Sequence, residues 1–203
     1  MVVVDWNSTI LNCPRWDWQS EDYEQRIHES ISAVHKAWTN SSYDGLLCFS
    51  QGAALGGLLC LLQHHGKLQF KFDFCILVSG FVPDTHREKY TSVGDERIQV
   101  PSLHITGDKD SIIESSRSKD LAKFFLDGEV CQHPGGHYLP YTGIFFLFFL
   151  YFCILDFFVL LYFCIIVKIL LYSGDTKDAV LRFLESQAQT LSAKEDTEVV
   201  KEV

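Results

Sequence analysis

Three separated segments carry side chains that together could act on an acyl group. The first is Tyr43-Asp44-Gly45-Leu46-Leu47-Cys48-Phe49-Ser50-Gln51-Gly52-Ala53, an apolar run that ends on a serine and passes at once into small residues. This is the context of a nucleophile elbow, a sharp strand-to-helix turn that projects a serine hydroxyl clear of the backbone. The amide of the next residue, here Gln51, can then donate to an oxyanion. The usual signature is G-x-S-x-G, and Cys48 stands at its first position, so strand, turn and helix carry the reading rather than the motif. The second segment, Pro101 to Asp110, is an apolar strand running into a Gly-Asp turn that offers Asp108 and Asp110. The third, Val130 to His137, is a short strand that ends in a Gly-Gly-His loop. Serine, acid and histidine in that chain order match an α/β-hydrolase triad. A parallel sheet gathers the carboxyl ends of its strands along one edge, so all three groups would face one crevice.

Each residue also has a plainer use. A serine before a helix is commonly an N-cap, and an aspartate after glycine commonly closes a turn. Strand context, chain order and spacing agree jointly on the triad, which outweighs the plain readings taken singly. In that triad His137 takes the proton from Ser50 as it attacks an ester carbonyl, and an aspartate holds the imidazole in the useful tautomer. Water then releases the acyl-enzyme. The spacing alone leaves Asp108 and Asp110 equivalent. His28, His35, His64, His65 and His86 lie in polar, solvent-facing settings and His104 alternates within a strand, so these six read as structural. No His, Cys or carboxylate cluster has metal-ligand spacing, and no cofactor is implied. Gly52, Gly56 and Gly57 fit close helix packing better than a phosphate cradle.

Taken together, the segments resemble the FSH family of serine hydrolases, which includes the OVCA-type esterases. The matching pieces are Arg15-Trp16-Asp17-Trp18 before an acidic helix, Tyr43 to Ala53, Val100 to Ile113, and His133 to Pro140 with its Pro-Gly-Gly-His core. The resemblance implies an α/β-hydrolase fold, Ser50 as nucleophile, Asp110 as orienting acid by the family's G-x-x-D spacing, His137 as base, and a small-molecule ester as substrate. It also implies a departure. Val2-Val3-Val4-Asp5 is similar to the family's second strand, so the first strand, the His-Gly loop after it and the second oxyanion donor are expected to be missing. The alternative function is then a catalytically impaired hydrolase-fold protein or a membrane-tethered interaction module.

The elements that must position these groups alternate as an α/β layer fold requires. Strands are expected at Val2 to Asp5, Leu46 to Phe49, Phe74 to Ser79, Leu103 to Thr106 and Glu129 to Gln132. Helices are expected over Ser20 to Trp38, with Tyr23, Ile27, Ile31 and Val34 on one face, over Gln51 to Gln63, and over Arg117 to Phe125. Phe81 to Gln99 reads as a polar loop near the site. Thr176 to Ala188, with Val180, Leu181 and Leu184 on one stripe, reads as a closing helix. The fold class is thus α/β, a hydrolase-like, doubly wound, mainly parallel sheet that lacks its first strand and carries a long apolar insert.

That insert stands apart from the alternation. Ile144 to Tyr172 is almost wholly Phe, Leu, Ile, Tyr, Val and Cys, broken by Asp156 and Lys168, and it exceeds the roughly 20 residues that span a bilayer. A membrane helix there would separate the closing helix from its sheet. The same composition follows from a translated uracil-rich tract such as a retained intron, and this reading is preferred over a membrane anchor. A pair of extra buried strands or a lipid-facing lid fits least well. The expected organisation is a hydrolase core over 1–140, the apolar insert over 141–174, the closing helix over 175–191 and a charged, disordered tail over 192–203. The 203 residues suit one domain, and a formal net charge of −9, with no basic stripe in the sequence, argues against a nucleic-acid partner. Seven cysteines without paired spacing read as buried free thiols in a reducing compartment. The first residues lack the pattern of a secretory signal, so the cytoplasm is the expected location. Membrane partnership follows only if residues 144–172 are genuine protein.

Overall fold

The computed structural model describes residues 2–4, 21–40, 43–94, 96–139 and 175–201. Arg15-Trp16-Asp17-Trp18 and the apolar segment 144–172 lie outside these residues. The chain divides into two compact units, Met1–Tyr138 and Leu139–Val203.

In the first unit five strands form one sheet: β1 (Val2–Val4), β2 (Gly45–Phe49), β3 (Phe74–Val78), β4 (Ser102–Gly107) and β5 (Gly128–His133). They lie in the order β1-β2-β3-β4-β5, and every pairing is parallel. This is the expected α/β-hydrolase-like architecture. Parallel strands need long crossovers, and here the connections carry α1 (Tyr23–Thr39), α2 (Gln51–His64), α3 (Arg87–Thr91) and α4 (Ser115–Ala122).

Alternation along the strands decides what each sheet face does. Cys48, Cys75 and Leu77 point into a core with Ile27 and Val34 of α1, Leu55 and Leu59 of α2, Tyr90 of α3 and Leu121 of α4. The opposite face carries Ile76, Val78, Leu103 and Ile105, which are also buried. Burial on both faces is why β3 reads Phe-Cys-Ile-Leu-Val without a polar break. Tyr23, Ile27 and Val34 line the inward stripe of α1 with Ser30. Gly56 lets α2 approach the sheet, since a Cβ there would press on the Cys48 side chain and on Leu77.

Four expectations change on contact with the fold. The stretch 81–99 is not a simple polar loop: it holds a 3-10 turn at Asp84–His86 and helix α3. Its Tyr90 and Ile98 are fully buried because the crossover from β3 to β4 must cover the helix layer. His86 is buried rather than solvent-facing, with Nδ1 3.3 Å from the Tyr23 hydroxyl, so burial holds its pKa below the ordinary histidine value. In the second unit α5 runs from Asp175 to Lys201, through residues expected to be a disordered tail. Ser192 to Lys201 carries the good helix formers Ala193, Lys194, Glu195, Glu198 and Lys201, and no Gly or Pro to stop the helix. Finally, the buried stripe of α5 is Thr176, Ala179, Val180 and Phe183, with Leu181 and Leu184 on its half-buried margin.

Cys48, Cys60, Cys75 and Cys131 are buried free thiols, and the sulfurs of Cys60 and Cys75 lie 3.3 Å apart. Burial pushes the Cys75 thiol well above its ordinary pKa, so it packs as a small apolar residue. Among the described residues no helix is long and apolar enough to cross a membrane.

Leu59 lies at the centre of the α2 contact with the sheet and is fully buried. Leu59→Ala removes three carbons without letting the sheet collapse around the gap, so it is expected to cost about 2–5 kcal/mol, read as a lowered urea midpoint.

Candidate active site

Ser50 sits between the last residue of β2 and the first of α2, with φ 53° and ψ −119°. A non-glycine residue at positive φ stores strain, on the order of 1–3 kcal/mol, and persists only where its surroundings fix it. Here its amide donates to the Val78 carbonyl at 2.8 Å, while its own carbonyl accepts from Ala53 and Ala54 in the first turn of α2. Its hydroxyl makes no capping bond to the helix. It lies instead 2.9 Å from His137 Nε2. The N-cap reading of Ser50 therefore does not describe the side chain.

The second ring nitrogen of His137 is 2.7 Å from Asp110 Oδ2. An ionised carboxylate can only accept, so this contact puts the imidazole proton on Nδ1 and leaves Nε2 to accept the proton of the Ser50 hydroxyl. The Phe49 ring packs against the imidazole, with centroids 4.9 Å apart. The expected site residues Ser50, Asp110 and His137 thus form one continuous hydrogen-bonded chain, and Gln51 opens α2 directly beside it.

Asp110 and Asp108, equivalent in the sequence, are distinct in the structure. Asp108 is exposed and its carboxylate accepts from Gln132. The Asp110 carboxylate is enclosed: Oδ1 accepts from the amides of Ile112 at 2.9 Å and Ile113 at 2.8 Å, and Oδ2 accepts from Ser79 at 2.9 Å as well as from His137. Burial alone would raise its pKa. The bonds from Ile113, His137, Ser79 and Ile112 outweigh that and hold it below the ordinary carboxylate range.

The loop that carries His137 is fastened to the turn that carries Asp110. The Asp108 amide donates to the His133 carbonyl at 2.8 Å, and the Lys109 amide donates to the Gly135 carbonyl at 2.9 Å. The close approach requires glycine at the end of β4, because a Cβ at Gly107 would overlap the carbonyl oxygens of Gly135 and Gly136. His133 supports the loop from within: its Nδ1 accepts the Gly135 amide at 3.2 Å and its ring packs against Tyr138. Ser79 and His133 carry little signal in the sequence. The signal for Ser79 is its place directly after the apolar run Phe74 to Val78, as Ser50 follows Leu46 to Phe49. The signal for His133 is only its place four residues before His137.

Lowering the Asp110 pKa on folding stabilises the fold above the ordinary carboxylate range, and the contribution is lost as pH falls through the depressed value. The stability difference between the native chain and Asp110→Asn is therefore expected to be full at neutral pH and to shrink in acid. Urea unfolding of both proteins across that pH range measures it, and a pH-independent difference would contradict the assignment.

The serine hydrolase family FSH1 matches residues 10–145. An esterase of Anopheles gambiae is 44% identical over 114 residues, covering 55% of this chain and 41% of that protein. Esterase OVCA2 of Xenopus tropicalis is 40% identical over 117 residues, 56% of this chain and 49% of that protein. The human esterase OVCA2 is 40% identical over 116 residues, 56% of this chain and 51% of that protein. The chain thus spans about half the length of the curated relatives it matches. Among solved structures, acyl-protein thioesterase 2 of Zea mays aligns with a TM-score of 0.47 at 17% identity, covering 62% of this chain and 63% of that one. With the family match extending over most of its length, this chain belongs to the FSH1 family of serine hydrolases.

Proposed function

We propose that the chain is a serine esterase that cleaves small carboxylic esters through an acyl-enzyme, with Ser50 as nucleophile, His137 as general base and Asp110 as the orienting acid. The observation that carries the reading is the bond from His137 Nε2 to the strained Ser50, with Nδ1 held by Asp110. His137 accepts the hydroxyl proton as Ser50 Oγ attacks the ester carbonyl, and the resulting imidazolium faces an ionised carboxylate. Collapse of the tetrahedral intermediate expels the alcohol, which takes that proton. Water, deprotonated by the same imidazole, then attacks the acyl carbon and frees Ser50.

The developing oxyanion is stabilised by the backbone amide of Gln51 at the positive end of α2. Removing one oxyanion donor typically costs about a hundredfold to a thousandfold in rate, so a second donor is part of a fully active site. The names of the relatives, esterases of three animals, support an ester substrate over an amide. The expected location remains the cytoplasm.

A fluorophosphonate probe reports a working serine and histidine pair directly. The chain is expected to label, and labelling is expected to vanish in Ser50→Ala and to fall by at least about a thousandfold in His137→Ala, because the triad acts as a unit. Absence of labelling in folded native protein would sink the esterase reading for this chain.

A further inference from the structure

Ser79 repeats at the end of β3 the backbone device that Ser50 shows at the end of β2. Ser50 and Ser79 are the non-glycine residues at positive φ among the described residues, at 53° and 50°. Each follows the last residue of its strand, and each donates its amide to the neighbouring strand: Ser50 to Val78 at 2.8 Å, Ser79 to Ile105 at 2.8 Å. The Gly80 carbonyl is held in turn by the Ser118 hydroxyl of α4 at 2.7 Å. Two strained turns therefore stand side by side at the catalytic edge, and the second is fully buried. Strain of this kind at a buried non-glycine residue marks a position where the direction of the side chain matters.

That direction is toward the acid. The Ser79 hydroxyl donates to Asp110 Oδ2, the same oxygen that His137 Nδ1 contacts. Oδ1 is held by two backbone amides from the turn that follows. The two carboxylate oxygens turn together about the Cβ–Cγ bond, so a donor at Oδ2 adds to the restraint that the two amides place on Oδ1, and among the described residues Ser79 is the group besides His137 that bonds Oδ2. We propose that Ser79 is a positioning residue of the triad, which locks the carboxylate so that Oδ2 stays in line with His137 Nδ1. It touches neither substrate nor reacting atoms and acts through Asp110. The inference rests on the esterase reading, because the lock serves a triad.

Ser79→Gly and Ser79→Ala separate this role from a merely structural one. Glycine accepts positive φ without strain and lacks the hydroxyl, so it keeps the turn while removing the donor. Both variants are expected to lose roughly ten- to a hundredfold in kcat toward a short-chain p-nitrophenyl ester, as befits a hydrogen bond to a charged group, with KM unchanged. The Nδ1 proton of His137, observed by proton NMR in its downfield window, is expected to move upfield or broaden in both. Thermal unfolding shows whether each variant remains folded. Folded Ser79→Gly with native kcat and an unmoved Nδ1 proton would overturn the proposal, and so would failure of both variants to fold. If the native chain itself neither turns over nor labels, the esterase reading fails. The Nδ1 proton signal still decides the role of Ser79 in that case, since it reports the Asp110 bond without catalysis.

Discussion

A carboxylate taken out of water must be surrounded by donors, and the site is organised around that requirement at Asp110. Leaving the charge there without partners would cost several kcal/mol. Four donors from three places meet it: two amides of its own turn, the Ser79 hydroxyl beyond β3, and the His137 ring beyond β5. Each donor is fixed in turn by sheet geometry. The ends of β3, β4 and β5 can therefore not slide relative to one another without exposing a buried charge to an apolar neighbourhood. The bond from His137 that helps satisfy the carboxylate also sets the tautomer of that ring, so the need to solvate one charge and the need to orient one imidazole have a common solution.

Parallel pairing makes this convergence cheap in chain length. Register aligns Phe49 with Val78, Val78 with Ile105 and Gly107 with His133, so each strand delivers its next residue to the same edge. The connecting helices lie away from that edge and need only cover an apolar face, which explains why α2 is almost uniformly buried and built from Ala, Gly and Leu. Packing precision is concentrated where backbone meets backbone. At Gly107 two loop carbonyls occupy the place of a side chain. The Lys109 amide, bonded to Gly135, fastens the Asp110 turn to the His137 loop at that close approach.

Features set by local pattern were legible in the sequence. The strand alternation, the small residues after Ser50 and the inward stripe Tyr23, Ile27 and Val34 each follow from a periodicity or a turn preference, and each appears within a few residues of its expected place. Ser50, an acid and His137 were legible as a set because chain order and strand context constrain one another. The choice between Asp108 and Asp110 rested on the family resemblance alone, because both follow the same glycine; in the fold only the Asp110 carboxylate is seen to meet the His137 ring, a matter of tertiary contact. His86 escaped for the same reason. Its polar sequence neighbours Asp84, Thr85, Arg87 and Glu88 face solvent while its own ring turns inward against Tyr23. The extent of α5 is masked by composition, since the Lys and Glu that give residues 192–201 their charge are also good helix formers.

Two strained serines at adjacent strand ends also bear on how the edge is held together. Strain at Ser50 is offset locally: its amide bonds to Val78, its carbonyl starts α2, and its hydroxyl meets His137. Strain at Ser79 is offset by the Ile105 carbonyl on one side and by Asp110 on the other. Because Val78 lies between the two serines, accepting from one and preceding the other, relaxation of either turn would shift the backbone of the second. The hydroxyl facing His137 and the hydroxyl facing Asp110 are thus mechanically linked through one residue of β3. A substitution that shifted the Val78 backbone would loosen the Ser50 and Ser79 turns together, although the Val78 side chain is buried on the sheet face opposite the α1 and α2 core.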